Sequence, residues 1–481
     1  MPLDLAPAVV EVFLFLAAMV LLLIGALRND DRDHLLTPLT VLVLLVGAVI
    51  ALAHEKSRTL GFEGHFVFDG FAALMKALIL VGAAGSLLLA GGYNRDQHIE
   101  RFEFPLLALF SALGMCMMVS ANSFIALYMA LELQSLPLYV LAALNRDNQR
   151  STEAGLKYFV LGALASGLLL YGCSLVYGFT GTLSFDVLAT TFGSEGQALA
   201  SGAIVGLVFI VAGLAFKLAA VPFHMWTPDV YEGAPTPVTA FIAGAPKLAA
   251  MGLTLRVLME PFGHWADQWG QVVVVISIAS MGLGAFAAIG QSNIKRLMAY
   301  SGIANIGFAL VGAAAGSVAG VNGAMVYMAI YLITTVGTFA CILQMRRDGV
   351  YVERIDDLAG LSQTRPGMAL MLAIFMFSLA GIPPLAGFVS KLYVFKAAID
   401  AGLVSLAVIG VVLSVVGAYY YLRIVKIMYF DTPAPAFDAS RDPALGSVAA
   451  VCAILVMFFL VPYFSSPLLN SAQAAAQALA P

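Results

Sequence analysis

Fourteen mostly apolar stretches follow one another along this chain, beginning near Val9, Thr37, Asp69, Phe104, Asn122, Glu153, Leu199, Thr236, Gln271, Ile294, Asn322, Gly367, Gly402 and Gly446. Each approaches the length of about 20 residues that a helix needs to cross a bilayer. Hydrocarbon offers no hydrogen bonds, so a spanning backbone must satisfy itself, which leaves only helices and closed barrels. Barrel strands alternate in polarity over roughly ten residues, whereas these stretches are apolar on every face. With 61% hydrophobic and 11% charged residues and a mean hydropathy of +0.94, the chain reads as an all-α polytopic membrane protein of about fourteen transmembrane helices.

The connections between the stretches are short. Those over about 180–198, 346–366 and 430–445 are the longest polar ones, too small to fold as domains or to hold a nucleotide. The first stretch has Asp4 and Glu11 near its start and no basic residue before it. It therefore lacks the charged start of a secretory signal peptide and is expected to be retained.

Orientation follows from Lys and Arg, which favour the cytoplasmic ends of helices. With the N-terminus outside, the inward connections carry Arg28, Arg32, Arg95, Arg101, Arg146, Arg150, Lys295, Arg296, Arg346, Arg347, Arg354, Arg365, Arg423, Lys426 and Arg441. The outward connections carry only Lys56, Arg58 and Arg256, and the rest of the 24 basic residues lie within helices. Both termini are therefore expected on the non-cytoplasmic side.

Charges inside the spans point to function. A charge at the middle of a membrane helix costs roughly 2.5 to 3.5 kcal/mol even on the mildest scale, and such residues commonly serve ion or proton movement. Lys76, Lys217, Lys247 and Lys391, together with Glu132, are of this kind. Redox chemistry within the chain has no such support. Cys116, Cys173, Cys341 and Cys452 fall in four separate helices with no metal-type spacing, and the six histidines form no pair at helical spacing.

Two stretches are too long for one span and are interrupted by proline: about 199–232, through Lys217 and Pro222, and about 367–400, through Gly381, Pro383, Pro384 and Lys391. Proline removes a backbone hydrogen bond and breaks the turn before it, and broken helices in two halves of a transporter mark its transport site. A packed kink with a lysine nearby is the alternative. The broken helices are the seventh and twelfth, and an offset of five reverses direction through the membrane. Helices 4–8 and 9–13 are accordingly expected to form two inverted five-helix repeats, with divisions at 1–103, 104–258, 259–430 and 431–481.

The segments LELQSLPLYVL (131–141), KLAAVPFHMWTPDVYEGAPTPVTAFIAGAPK (217–247), QSNIKRLMAYSGIANIGF (291–308) and FSLAGIPPLAGFVSK (377–391) resemble the antiporter-like subunits of respiratory complex I, the proton-pumping NADH:quinone oxidoreductase. Mrp-type cation/proton antiporters share the general pattern, while the EGAPTPVTAF and APK wording is that of the subunit N branch. The resemblance covers nearly the whole chain. It implies a proton path along the middle of the membrane through Glu132, Lys217, Lys247 and Lys391. It also implies that NADH, FMN, iron–sulfur clusters and quinone belong to partner subunits, and that this chain binds no cofactor. Its expected surroundings are a bacterial inner membrane, lipid and the other membrane-arm subunits, not nucleic acid.

In that role Lys217 is expected to be the switched site, Lys247 to pass the proton onward and Lys391 to lie at the exit. Removal from water favours neutral lysine and a nearby carboxylate favours the charged form, so Glu132 is suited to control Lys217. Four further residues have two readings each or weaker ones. His224 is either a proton relay or a structural histidine beside Trp226. Glu153 and Lys157, four apart, form either a surface ion pair or part of an intake path. Lys295 matches a family position, but orientation control beside Arg296 also explains it. Lys76 has no matching family role, and Lys396 reads as an interfacial anchor. Beside the complex I reading stand two others, a subunit of an Mrp-type antiporter and a purely structural membrane subunit.

Overall fold

A computed structural model describes residues 5–27, 35–193, 201–439 and 442–479. Asp4, Arg28, Arg32, His34, Leu199 and Arg441, which entered the expectations above, lie outside these residues. Apolar continuity produces helices in chain order: α1 (Val9–Leu27), α2 (Leu36–Ala53), α3 (Gly70–Leu88), α4 (Ala90–Asp96), α5 (Glu103–Val119), α6 (Phe124–Ala142) and α7 (Gln149–Thr180). There follow α8 (Phe185–Gly193), α9 (Ser201–Leu218), α10 (Trp226–Gly233), α11 (Thr236–Ala243), α12 (Ala245–Met259), α13 (Ala266–Ile289) and α14 (Ile294–Ala314). The last are α15 (Val318–Ile342), α16 (Leu361–Thr364), α17 (Pro366–Ala380), α18 (Ala386–Asp400), α19 (Val404–Phe430), α20 (Pro443–Met457) and α21 (Pro462–Leu479). Two small antiparallel hairpins interrupt this pattern, β1 (Thr59–Gly61) with β2 (Phe66–Phe68) and β3 (Arg346–Arg347) with β4 (Val350–Tyr351). Both lie in connections between spans.

Among the described residues, eleven helices are long and apolar enough to cross a membrane. The remaining expected spans fall on α5, which is 17 residues long, on the broken pair α17–α18, and on α20 with α21. The final segment differs from expectation. Residues 431–481 do not hold one helix: α20 and α21 meet at 82°, because Pro462 opens the second helix where its missing N–H does no harm. α21 then packs against α3 and α15, and Asn322 donates to Gln473 across 2.8 Å. At the centre of the bundle lies the α11–α12 span, whose apolar window is 100% buried, while α1, α2 and α19 keep lipid-sized apolar faces outward.

The halves repeat at the level of backbone hydrogen bonds. At the start of α6, Phe124 donates to Leu183 O and Phe185 to Asn122 O; at the start of α14, Ile294 donates to Glu353 O and Ile355 to Ser292 O. Each second-half residue is its first-half counterpart moved on by 170 positions, as 124 to 294 and 183 to 353. The same shift relates two close helix contacts. A Cβ on Gly114 would lie 2.4 Å from Gln134 N, and one on Gly284 would lie 2.6 Å from Ala304 N. Both glycines thus let a neighbouring backbone approach.

Charged residues pair near helix ends. Arg58 pairs with Asp186 at 2.5 Å, and Asn122 donates to Asp186 at 2.9 Å. Arg256, expected in a connection, instead occupies the last turn of α12 and is fully buried. Its guanidinium holds both oxygens of Asp69 at 3.0 Å, Glu260 at 2.7 Å and the Val119 carbonyl at 2.8 Å. Asp69 in turn caps α3 by accepting from Ala72 N. This cluster ties α3, α5 and α12 together at one membrane face. Truncating one partner of such a buried pair leaves the other charge uncompensated. Arg256→Ala is therefore expected to lower unfolding free energy by about 3–5 kcal/mol, measured by denaturant unfolding of the detergent-solubilised chain; an unchanged midpoint would refute this role.

Candidate functional site

Both broken spans end their first half in the same way. In α9, Ala220 N donates to Ala215 O and Ala219 N to Phe216 O, with Ala219 in the left-handed region at φ +62°. In α17, Ile382 N donates to Phe377 O and Gly381 N to Ser378 O, with Gly381 at φ +83°. These paired bonds are the Schellman ending, which satisfies carbonyls that would otherwise be stranded. A third interruption escaped the sequence reading. Gly244, at φ −101° and ψ −95°, separates α11 from α12, and Pro246 follows in the first turn. Each of Lys217, Lys247 and Lys391 therefore lies within a few residues of a helix interruption.

Lys217, two residues before Ala219, turns toward α6. Its ammonium donates to Ser135 Oγ at 2.8 Å and to Tyr139 Oη at 3.3 Å, and it sits 5.7 Å from the Tyr139 ring centre. Glu132, Ser135 and Tyr139 share one face of α6 at the i, i+3, i+7 spacing. Glu132 is half-buried, no ion pair joins it to Lys217, and its Oε1 has no hydrogen-bond partner among the described residues. The expected carboxylate and ammonium thus belong to one cluster without being in contact. Two hydroxyls hold the ammonium in the carboxylate's place.

Lys247 is 1% exposed, at the middle of the α11–α12 span. Its Nζ has no hydrogen-bond partner among the described residues, and its nearest aromatic face is Tyr231, 5.3 Å from ammonium to ring centre. Such a contact offsets only part of the lost hydration, about 2 kcal/mol when dry. Lys391 is better served. It reaches back across its break to Leu379 O at 3.1 Å and Ala380 O at 3.0 Å, the free carbonyls at the negative end of α17. It also donates to Ser414 Oγ at 2.7 Å and lies 4.6 Å from the Phe308 ring centre.

Neutral polar side chains fill the intervals between these lysines. Tyr139 packs edge-on against Tyr158, 4.8 Å between ring centres, and Tyr158 stacks on Trp226. Beyond Lys247, Tyr327 donates to Asn305 Oδ1 at 2.7 Å, and Asn305 donates to Ser301 O at 2.8 Å and Tyr421 Oη at 3.2 Å. Sequence reasoning passed over Ser135, Tyr139, Tyr231, Asn305, Tyr327 and Tyr331. Their only signal is a hydroxyl or amide in an apolar run, which many packed helices also show.

The remaining candidates separate by how fully they are satisfied. Lys295, 2% exposed, uses all three donors, on Glu232 O and Ala234 O at 2.9 Å and Glu353 Oε1 at 3.0 Å. It fastens the end of α10 to the start of α14. Glu153 and Lys157 do form the ion pair, at 2.8 Å, but Lys157 also binds Asp229 at 2.7 Å, and Asp229 and Glu232 bind Arg296. A cavity of about 170 Å³ opens among these groups, beside a larger one of about 390 Å³ that reaches Tyr93, Lys295 and Glu353. Tyr351 on the rim of the larger cavity donates to Asp96 at 3.0 Å; burial, then the Asp96 charge, pushes its hydroxyl up from the usual phenol range. His224 is half-buried in the α9–α10 break, its Nδ1 without a hydrogen-bond partner among the described residues. Lys76, unexplained by sequence, forms a 2.8 Å ion pair with Glu11, between the Phe66 and Phe68 rings. Lys396 is exposed on α18. Among the described residues no group of three or more His, Cys, Asp or Glu is placed to hold a metal ion.

Residues 121–417 match the family described as NADH:quinone oxidoreductase/Mrp antiporter, TM. A protein of Rhodospirillum rubrum named NADH-quinone oxidoreductase subunit N is 57% identical over 478 residues, 99% of this chain and 97% of that one. Its counterpart of the same name in Parvibaculum lavamentivorans is 56% identical, covering 99% and 98%. Among solved structures, a chain of respiratory complex I from Thermus thermophilus with bound aureothin matches with a TM-score of 0.81 and 32% identity, covering 97% of this chain and 99% of that one. A chain of the Mrp complex from Dietzia has a TM-score of 0.84 at 23% identity, which is a likeness of fold.

The contrast between saturated and exposed ammonium groups is measurable. Lys295→Met strands at least two buried carbonyls, at about 1–3 kcal/mol for each buried group left unpaired, whereas Lys157→Met removes a solvent-screened pair worth about 1 kcal/mol or less. Unfolding in detergent is expected to show the larger loss for Lys295→Met; the reverse order would contradict this assignment.

Proposed function

The chain belongs to the subunit N family of bacterial NADH-quinone oxidoreductase, and we propose on that footing that it carries protons across the membrane through Glu132, Lys217, Lys247 and Lys391. One observation supports the relay above all: three buried lysines, each beside a helix interruption, with hydroxyl and amide side chains between them. The chain is a membrane subunit of the enzyme, and NADH, FMN, iron–sulfur clusters and quinone belong to its partners. Its neighbours are the other antiporter-like subunits of the membrane arm, and it works in the inner membrane with both termini on the non-cytoplasmic side. The four divisions 1–103, 104–258, 259–430 and 431–481 then correspond to a leading three-helix group, two inverted repeats and a closing segment.

Chemically, Lys217 has two sets of partners within the swing of its four-carbon stem. Ser135 and Tyr139 hold it now, and Glu132 lies one turn away on the same helix face. Moving toward the carboxylate favours the charged ammonium, and moving away into the dry interior favours the neutral amine. Driving one proton against about 150 mV takes about 3.5 kcal/mol, comparable to one or two charge-assisted hydrogen bonds at about 1.5–3 kcal/mol each. Lys247, with no hydrogen bond to lose, is suited to passing the proton on, and Lys391 to releasing it. Glu153, Lys157 and Asp229 around the 170 Å³ cavity serve as the intake, with His224 beside it. Lys295 holds that face together. The Mrp-type reading has behind it a likeness of fold and the family description shared with complex I, whereas full-length relatives at 56% and 57% identity carry the subunit N name.

The test uses the assembled enzyme in sealed vesicles, with proton uptake and NADH:quinone turnover read together. Lys217→Ala and Glu132→Gln are each expected to lower proton uptake at least severalfold in enzyme assembled at normal yield, while Lys396→Ala leaves it unchanged. Normal proton stoichiometry in Lys217→Ala would sink the assignment.

A further inference from the structure

In the proposed relay no direct contact joins Lys247 to Lys391. The geometry between them is set by a missing side chain. A Cβ built at Gly302 of α14 would lie 2.6 Å from Lys247 Nζ and 3.0 Å from Tyr331 Oη. Both polar atoms therefore face one point, and their separation is no greater than those two distances together. No hydrogen bond joins the two, since Lys247 Nζ has no such partner among the described residues. A single water can bridge two such groups. On its other side Tyr331 borders a cavity of about 10 Å³ shared with Asn305, Tyr327, Ser378, Ser390 and Lys391, about the space one water centre occupies. Tyr331 itself comes from α15, which packs against α11, α12, α14 and α18 and so touches the elements that carry the two lysines.

The 170-residue shift between the halves gives Gly302 a second meaning. Its first-half counterpart, at 132, is the glutamate that faces Lys217. Where one half places a carboxylate, the other places no side chain at all, and the ammonium of Lys247 fills the opening.

Resting on the relay proposed above, we infer that the Tyr331 hydroxyl is the link that carries the proton from Lys247 to the cavity at Lys391, and that Gly302 keeps the gap between them open. In the transfer, the Lys247 ammonium gives a proton to the bridging water, the water gives one to the Tyr331 oxygen, and the original hydroxyl proton leaves toward Lys391. Tyr331 begins and ends neutral, so the step requires no tyrosinate. The next proton on Lys247 repeats it after the hydroxyl turns back. Lys247 is seated by Gly302, which is a positioning residue; Tyr331 handles the proton itself.

Three substitutions at the gap separate this from a packing role. Gly302→Ala and Gly302→Ser place nearly the same bulk at the shared point, but only serine restores a group able to bond both atoms. In the complete enzyme in sealed vesicles, Gly302→Ala and Tyr331→Phe are expected to lower proton uptake at least threefold at unchanged assembly, and Gly302→Ser to retain clearly more uptake than Gly302→Ala. Equal loss in the alanine and serine variants, or normal uptake in Tyr331→Phe, overturns the inference. If neither Gly302 variant assembles, Tyr331→Phe alone decides, because it preserves the ring. Lys247→Met is measured alongside. Lost uptake there with normal uptake in Tyr331→Phe leaves the relay standing and this link refuted, whereas normal uptake in Lys247→Met refutes the relay and the link with it.

Discussion

A polar group inside hydrocarbon has only the protein to bond with, and the architecture of this chain is organised by that scarcity. Ending a helix within the membrane strands its last carbonyls, so α9 and α17 close with Schellman bonds at Ala219 and Gly381. The α17 carbonyls still face inward, and the Lys391 ammonium takes two of them. The interruption and the lysine thus solve each other's problem: the backbone supplies acceptors that a continuous helix would have consumed, and the cation fills them without needing a carboxylate.

Buried cations in the bundle consequently fall into two groups. Arg256 and Lys295 spend their donors on several acceptors each, and the elements they join are fixed by that saturation. Lys217, with two hydroxyls, and Lys247, with none, are under-bonded. Lys76 stands between the groups, held by Glu11 and two aromatic rings.

The spans and the breaks near Pro222 and Pro383 were legible in the chain because they depend on hydrophobic length and on proline, both local properties. The interruption at Gly244 was missed because the apolar run continues through it and the proline follows where a helix tolerates it. Residues 431–481 read as one helix for a related reason: composition does not encode an 82° bend. The charge of Arg256 suggested a connection, yet its acceptors come from α3, α5 and the end of its own helix, partners that no local window brings together. The same holds for Tyr331 and Asn305, ordinary polar residues until α14, α15 and α18 converge. The internal repeat left no sequence similarity to follow, since it survives in backbone bonds such as 124 to 183 and 294 to 353.

The two lysines of the broken spans occupy opposite sides of their interruptions, Lys217 before Ala219 and Lys391 after Gly381. Two perfectly matched inverted halves would present the same binding site to either membrane face, and a proton would find the two routes energetically degenerate. Staggering the cations, and answering Glu132 in one half with Gly302 in the other, removes that degeneracy from the scaffold itself. The two halves are thus unequal in where they place their cations and their carboxylate before any neighbouring subunit exerts its influence.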